Sequence, residues 1–258
     1  MIIDTHLHEG TAGIFTLRLC QLLAEMDKNG IDKGLVSTVA CCEYISGNEA
    51  LPAGQTPQLE ANRRLLEKAA GSGGRLYLSF WCKPATESNA ADVYRFIREN
   101  RSLVRGLKLH PFYSRLPLED KRYTPYIEVA EQLNLPVSVH TAADQLSSPG
   151  QLLALARRHP SVPFIMVHMG LCSDNEDAIR CLSQADNLFG DTTWVPLDKV
   201  RKAMRICGAS KMLFGSDAPI DGDRSYAFYA ELLCQYHSEG GEVWERLMHR
   251  NAEELFGI

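Results

Sequence analysis

Met1-Ile2-Ile3-Asp4-Thr5-His6-Leu7-His8 is the stretch on which the fold of this chain turns. An apolar run leads into a His-x-His pair, and on an extended strand residues two apart face the same side. His6 and His8 therefore project together, as two imidazoles able to clamp a divalent metal. A lone pair of this kind is weak evidence, but this one has counterparts downstream, each at the end of another β-rich run. His140 closes Val137-Ser138-Val139-His140-Thr141, and His168 sits in Ile165-Met166-Val167-His168-Met169-Gly170. Asp217 lies in Leu213-Phe214-Gly215-Ser216-Asp217-Ala218-Pro219. Imidazoles with a carboxylate suit Zn2+, with Mn2+ as the alternative, and an incomplete protein shell leaves room for water.

Working outward, β-rich apolar runs alternate with helix-period segments along the whole chain. The strands are expected at 2–8, 34–40, 76–82, 104–110, 136–141, 164–170, 188–194 and 212–218. Helices are expected near 15–29, 60–70, 89–100, 123–134, 149–159, 175–185, 197–207 and 225–238, with a further helix near 241–255. In the first, Phe15, Leu19, Leu22, Leu23 and Met26 recur at helical spacing, and Gly30 provides the stop. Pro125, Pro149 and Pro160 fall near element boundaries.

Strand-helix alternation implies a parallel sheet with helices outside. An open doubly wound sheet would favour one switch point, often with a glycine fingerprint after the first strand. Here no GxGxxG follows that strand, and the candidate ligands end strands one, five, six and eight. Only a closed barrel gathers those ends around one axis, at its C-terminal face. The expected fold is α/β: a (β/α)8 TIM barrel, one domain over 1–258, with an extra C-terminal helix. The irregular stretch 41–58, rich in Gly, Pro, Asn and Ser, reads as a lid over the site.

Composition narrows the function classes. The net charge of -5 argues against a nucleic-acid footprint, and no basic run suggests an anionic membrane surface. No apolar stretch is long enough for a membrane span. The N-terminus lacks signal-peptide features, so cytoplasmic residence is the expectation. The expected partner is a small-molecule substrate, and the homo-oligomeric state is left open. The eight cysteines show no CxxC spacing and read as free thiols. Cys41, Cys42 and Cys82 follow predicted strands, so they either line the site or are plain buried thiols.

Lys108 and His110 share a face in Gly106-Leu107-Lys108-Leu109-His110-Pro111. A lysine aimed into a barrel mouth must neutralise, pair or be modified, because a desolvated ammonium is costly. It could pair with Asp4 or a bound anion, or be carbamylated to bridge two metals; one ion is favoured over two. His110 is a candidate for substrate binding. His159, His237 and His249 read as surface or capping residues.

These motifs together resemble the amidohydrolase superfamily, and more closely its amidohydrolase-related branch, which includes aminocarboxymuconate-semialdehyde decarboxylase-like enzymes. The closing Arg250-Asn251-Ala252-Glu253-Glu254-Leu255-Phe256 is similar to that branch's C-terminal signature. The resemblance covers nearly the whole chain. It implies a metal-dependent barrel, mostly hydrolytic, with some decarboxylases and hydratases, and no room for the β-sandwich domain of larger relatives. The branch often manages with one metal, so the superfamily's lysine bridge does not transfer to Lys108.

Hydrolysis of a small amide, lactone or ester is the leading expectation. His6, His8, His140 and Asp217 would hold the metal, which lowers the pKa of bound water. Asp217 would move the proton, while His168 would orient the water, polarise the carbonyl or complete a second metal site. The alternative is a lyase, decarboxylating or hydrating an unsaturated carboxylic acid. A third reading is a non-enzymatic barrel stabilised by its metal. A carboxylate substrate calls for cations near the mouth, and Lys83, Arg115 and Arg224 lie on suitable loops. Glu9, Phe112, Tyr113 and Trp194 are expected to line the same mouth.

Overall fold

The computed structural model describes residues 1–44 and 55–258. A nine-stranded sheet has the order β2-β1-β3-β4-β5-β6-β7-β8-β9. Its strands are β1 (Ile3–Ala12), β2 (Phe15–Leu17), β3 (Lys33–Thr38), β4 (Leu76–Trp81) and β5 (Val104–Leu109), followed by β6 (Val137–Ala142), β7 (Phe164–Leu171), β8 (Leu188–Asp191) and β9 (Met212–Leu213). All neighbours are parallel except β1 and β2, which form a hairpin.

The sheet curls until its ends meet. Thr5 N donates to Phe214 O (2.8 Å), Asp217 N to His6 O (2.9 Å) and His8 N to Ala218 O (2.8 Å). The closure is irregular, so β9 is short as a regular strand, yet the backbone from 214 to 218 still runs beside β1. The result is the (β/α)8 barrel expected from the alternation, with β2 appended.

The helices follow the strands, and all but the short α4, which was not expected, match the expected ranges to within a few residues. They are α1 (Leu19–Lys28), α2 (Gln58–Ala70), α3 (Ala90–Glu99), the short α4 (Pro111–Ser114), α5 (Thr124–Leu133), α6 (Pro149–Arg158), α7 (Glu176–Leu182), α8 (Leu197–Cys207) and α9 (Ala230–Glu239). Ser148 shows the local logic: it caps α6 in a reciprocal box with Gln151, and Pro149 occupies the first turn, where its missing N–H costs nothing. Gly30 follows α1 with φ +68°, a left-handed conformation that glycine adopts without steric penalty. Phe15 departs from expectation. It lies in β2, not in the first helix, because the chain turns back on β1 before α1 begins.

The extra C-terminal helix is present in three parts: α10 (Glu242–Glu245), a wider turn over Arg246–Arg250, and α11 (Asn251–Phe256). Ala252 and Phe256 pack with Ile3, Leu35, Ile165, Val167 and Leu213. These residues begin strands or point inward near their starts, so α11 seals the N-terminal end of the barrel. Each such buried aliphatic side chain contributes about 1.5–3 kcal/mol relative to exposure. The site is left to the opposite end. Among the described residues no helix is long and apolar enough to cross a membrane. Of the expected lid over 41–58, residues 45–54 lie outside the described set.

Candidate metal centre

The middle of β1 and the chain after β9 bring three donors together. His8 Nε2 lies 3.0 Å from both His6 Nε2 and Asp217 Oδ1, and His6 Nε2 is 3.4 Å from the same oxygen. Both imidazoles and the carboxylate are largely buried. Bare lone pairs at such separations repel, so the cluster suits a cation that all three can face.

The outer nitrogens show how the rings are oriented. Thr193 Oγ1 donates to Asp191 Oδ2 (2.7 Å), so it is left to accept from His6 Nδ1 (3.0 Å). His6 Nδ1 therefore carries the proton and Nε2 offers its lone pair inward. His8 Nδ1 has Ser37 Oγ at 3.1 Å. A carboxylate and hydroxyls behind the histidines are the arrangement that fixes metal ligands. Gly215 makes room for it: a Cβ there would meet Thr193 Oγ1 at 2.8 Å and Asp191 Oδ2 at 2.9 Å.

Burial, followed by the nearby Lys108 charge, holds His6 well below the usual imidazole range, so its ring is neutral at neutral pH. Burial acts on Asp217 in the opposite sense, but the surrounding imidazoles and the hydrogen bond with His8 pull it well below the carboxylate range. Asp217 also accepts from Trp194 Nε1 through Oδ2 (3.0 Å). His168, Trp194 and Asp217 all have left-handed backbones, with φ of 67°, 58° and 71°. Such conformations are costly for residues with side chains and concentrate at functional sites.

A wall of rings continues from the metal cluster. His168 lies 5.3 Å from His6 and 4.8 Å from His140, ring centre to ring centre. His140 stacks on His110 at 4.0 Å, and His110 stacks on Trp81 at 5.3 Å. Burial lowers the pKa of His168 to about 4 and pushes His140 and His110 down as well. Nδ1 of His140 and of His168 is buried with no hydrogen-bond partner among the described residues. Orphaned buried nitrogens call for a ligand or water. The donor set therefore fits a divalent ion, with His6, His8 and Asp217 gathered and His140 and His168 beside them.

Lys108 is almost fully buried and reaches His6 Nε2 at 2.9 Å. Desolvation lowers its pKa to about 8 against the pull of Asp217 and Asp191. It does not pair with Asp4, the partner considered from sequence. Asp4 instead accepts from Ser216 Oγ, Tyr226 OH (2.9 Å), His6 N (3.0 Å) and Ser216 N (3.2 Å), and so braces the closure of the barrel.

A cavity of about 530 Å³ opens above these groups, lined by His6, His8, His110, His140, His168 and Asp217 and walled by Phe15, Trp81, Phe112, Tyr113, Leu171, Trp194 and Ile220. His110 and Trp194 are thus placed at the cavity as expected, and so are Phe112 and Tyr113. The expected cationic clamp is not. Arg224 sits in an exposed turn, and Arg115 lies over the Phe112 ring, 4.7 Å from its centre, and neither lines the cavity. Lys83 is buried beside Glu87 (3.4 Å), and Glu9 pairs with Lys68 away from the cavity. Long side chains on loops follow their own local partners, which spacing along the chain does not reveal. Cys41, Cys42 and Cys82 are buried and do not line the cavity, and burial pushes their thiols up.

Sequence reasoning missed Asp191 and Thr193. The signal was present: Asp191 ends β8, the one remaining strand end with a carboxylate. Its role emerges only because closure sets the chain at and after β9 beside β1, which brings the end of β8, one strand further along, within reach of His6. Asp191 Oδ1 also accepts from the His168 backbone N–H (2.8 Å), so one carboxylate steadies two histidines.

The architecture recurs in solved structures. A 5-carboxyvanillate decarboxylase from Novosphingobium aromaticivorans, bound to manganese and 3-methoxy-4-hydroxy-5-nitrobenzoic acid, superposes with a TM-score of 0.75 at 14% identity, covering 100% of this chain and 97% of its own. A 5-carboxyvanillate decarboxylase from Sphingomonas paucimobilis gives 0.73 at 15% identity, covering 100% and 99%. A 2,6-dihydroxybenzoate decarboxylase complexed with 2,6-dihydroxybenzoate gives 0.70 at 15% identity, also covering 100% and 99%. At these identities the likeness speaks for the fold alone. No curated protein matches the sequence. A family model does, from the first metal-clamp strand to the C-terminal helix, and with residues 3–258 matched the chain belongs to the amidohydrolase family.

Proposed function

We propose that this protein is a metal-dependent lyase that decarboxylates a small, planar, unsaturated carboxylic acid, with hydroxybenzoates the first class to test. The observation that carries this reading is the form of the cavity: flat aromatic walls and apolar side chains above a cluster of metal donors. Such a cavity takes a planar ring and strips water from a carboxylate. Desolvation disfavours the localised charge of the carboxylate more than the dispersed charge that develops as CO2 leaves. The decarboxylases of similar fold support the same choice. This reverses the order expected from sequence, where hydrolysis led.

His6, His8 and Asp217 would hold the ion, with His140 or His168 completing the set. When bound, a divalent ion supplies a Lewis acid for a substrate oxygen; zinc and manganese both suit these donors. The chain's own residues do the rest. Trp81, His110 and His140 form a stacked wall against which a ring can lie. Asp217 is ionised at rest, so it acts first as an acceptor. It takes the proton of a substrate hydroxyl and returns it to the carbon that bears the carboxylate. The C–C bond then breaks, its electron pair stays with the ring, and CO2 departs. Trp194 Nε1 holds Asp217 Oδ2, leaving Oδ1 to face the cluster.

Hydrolysis is the second reading, favoured by one feature: an ionised carboxylate beside metal donors is also a ready base for water. The test loads the protein with Mn2+ or Zn2+ and offers hydroxybenzoates in D2O. Released CO2 and one deuterium at the vacated ring carbon support the lyase. Acid release from a lactone, amide or ester panel, with no CO2 from any benzoate, would replace it with the hydrolase.

A further inference from the structure

We infer that the cavity selects substrates bearing a single carboxylate, and that Asp144 sets this choice by repelling a second anionic group at the mouth. The inference builds on the carboxylic-acid reading above, but it concerns recognition, not bond breaking. Asp144 lines the cavity just beyond the end of β6, on the loop side of His140. Its Oδ1 accepts from Leu146 N (2.9 Å), Ser147 N (2.7 Å) and Ser147 Oγ (3.0 Å). Three bonds pin the carboxylate to its loop, so it cannot readily swing aside for a second anion.

Among the described residues no lysine or arginine lines the cavity. Positive charge is concentrated at the other end, where Lys108 adjoins His6 and a metal would sit. The cavity is therefore polarised: one carboxylate is welcome at the floor, and the mouth suits an apolar edge or a hydrogen-bond donor such as a hydroxyl. A diacid such as 5-carboxyvanillate is disfavoured, although proteins of the same fold act on it.

Calorimetric titration of the Mn2+-loaded protein with benzoate, 3-hydroxybenzoate and isophthalate tests this without requiring turnover. Both monoacids should bind, and isophthalate should bind at least about tenfold more weakly, a gap that shrinks as salt screens the mouth. Asp144→Asn keeps the Oδ1 acceptor of the loop and removes the charge, so it should narrow the gap several-fold. Isophthalate binding as tight as benzoate, which a reoriented Arg115 could supply, overturns the inference. So does a gap unchanged in Asp144→Asn and insensitive to salt, or failure of both monoacids to bind. Selective binding without CO2 release from any acid would leave this inference standing and remove the decarboxylase. CO2 release from diacids as fast as from monoacids would do the reverse.

Discussion

Lys108 Nζ lies 2.9 Å from His6 Nε2, the nitrogen whose lone pair faces the metal donors. The end of β5 and the middle of β1 are thereby tied at one point, and a lysine of lowered pKa sits where a cation is expected to bind. A short contact of this kind makes Lys108 a neighbour of the ion without making it a ligand.

If one ion is bound, Lys108→Met should still load about one metal per chain, because the donors of His6, His8 and Asp217 remain. Elemental analysis and mass measurement under non-denaturing conditions check this. Two ions in the wild type, a carbamyl adduct on Lys108 and loss of metal in the variant would establish a bridged pair instead.

Removing the first clamp, with His6→Ala and His8→Ala together, should bring metal content to background and abolish activity. The fold should persist, since the core that seals the other end of the barrel is untouched. Full metal retention in the purified variant would take both residues out of the ligand set.

Asp191→Asn should weaken metal binding by about 10–100-fold, the range for residues that orient a ligand from behind. Thr193→Val should act in the same direction, because Thr193 passes the Asp191 charge to His6 through its hydroxyl. Competition with a chelator measures both. Wild-type affinity in the two variants would show that the relay positions nothing.

Asp217→Asn preserves shape but cannot accept the proton. Turnover should fall by about 10²–10⁴-fold. Turnover and metal content must be read on the same sample. Near-normal turnover with full metal would transfer the proton-moving role to His168.

Burial raises the pKa of Asp4 from 3.8 to about 7, against the lowering effect of its four hydrogen-bond donors. A carboxyl with a raised folded-state pKa favours folding below its unfolded pKa and loses that contribution as pH climbs through the folded value. Across the window from about pH 4 to 7 the loss is on the order of 4 kcal/mol. Asp4→Asn does not titrate, so its stability relative to wild type should improve between pH 5 and pH 8. Urea unfolding at the two pH values decides, and a constant difference would show that Asp4 does not titrate in that window.

The strands were readable because each is a short apolar run whose period and flanks are local properties. The helices were readable for the same reason, as α6 shows with Ser148, Pro149 and Gln151 all within one turn. The β1–β2 hairpin was not, because Phe15 satisfies a helical spacing as well as a strand. Only pairing with Ala12 chose between them.

For the site, the sequence by itself determined which residue types stand at the strand ends: His6, His8, Lys108, His140, His168 and Asp217 follow from a period of two and the rule that a barrel gathers those ends. Tertiary structure decided the remainder. It placed Asp191 and Thr193 behind His6, stacked His110 between Trp81 and His140, took Arg115 and Arg224 out of the cavity and put Asp144 at its mouth. Those relations join residues far apart in the chain, and they depend on curl, closure and side-chain reach. Local spacing can say which face a side chain takes, but only the closed barrel brings it within about 3 Å of a partner from another strand, the distance at which hydrogen bonds and metal ligation act.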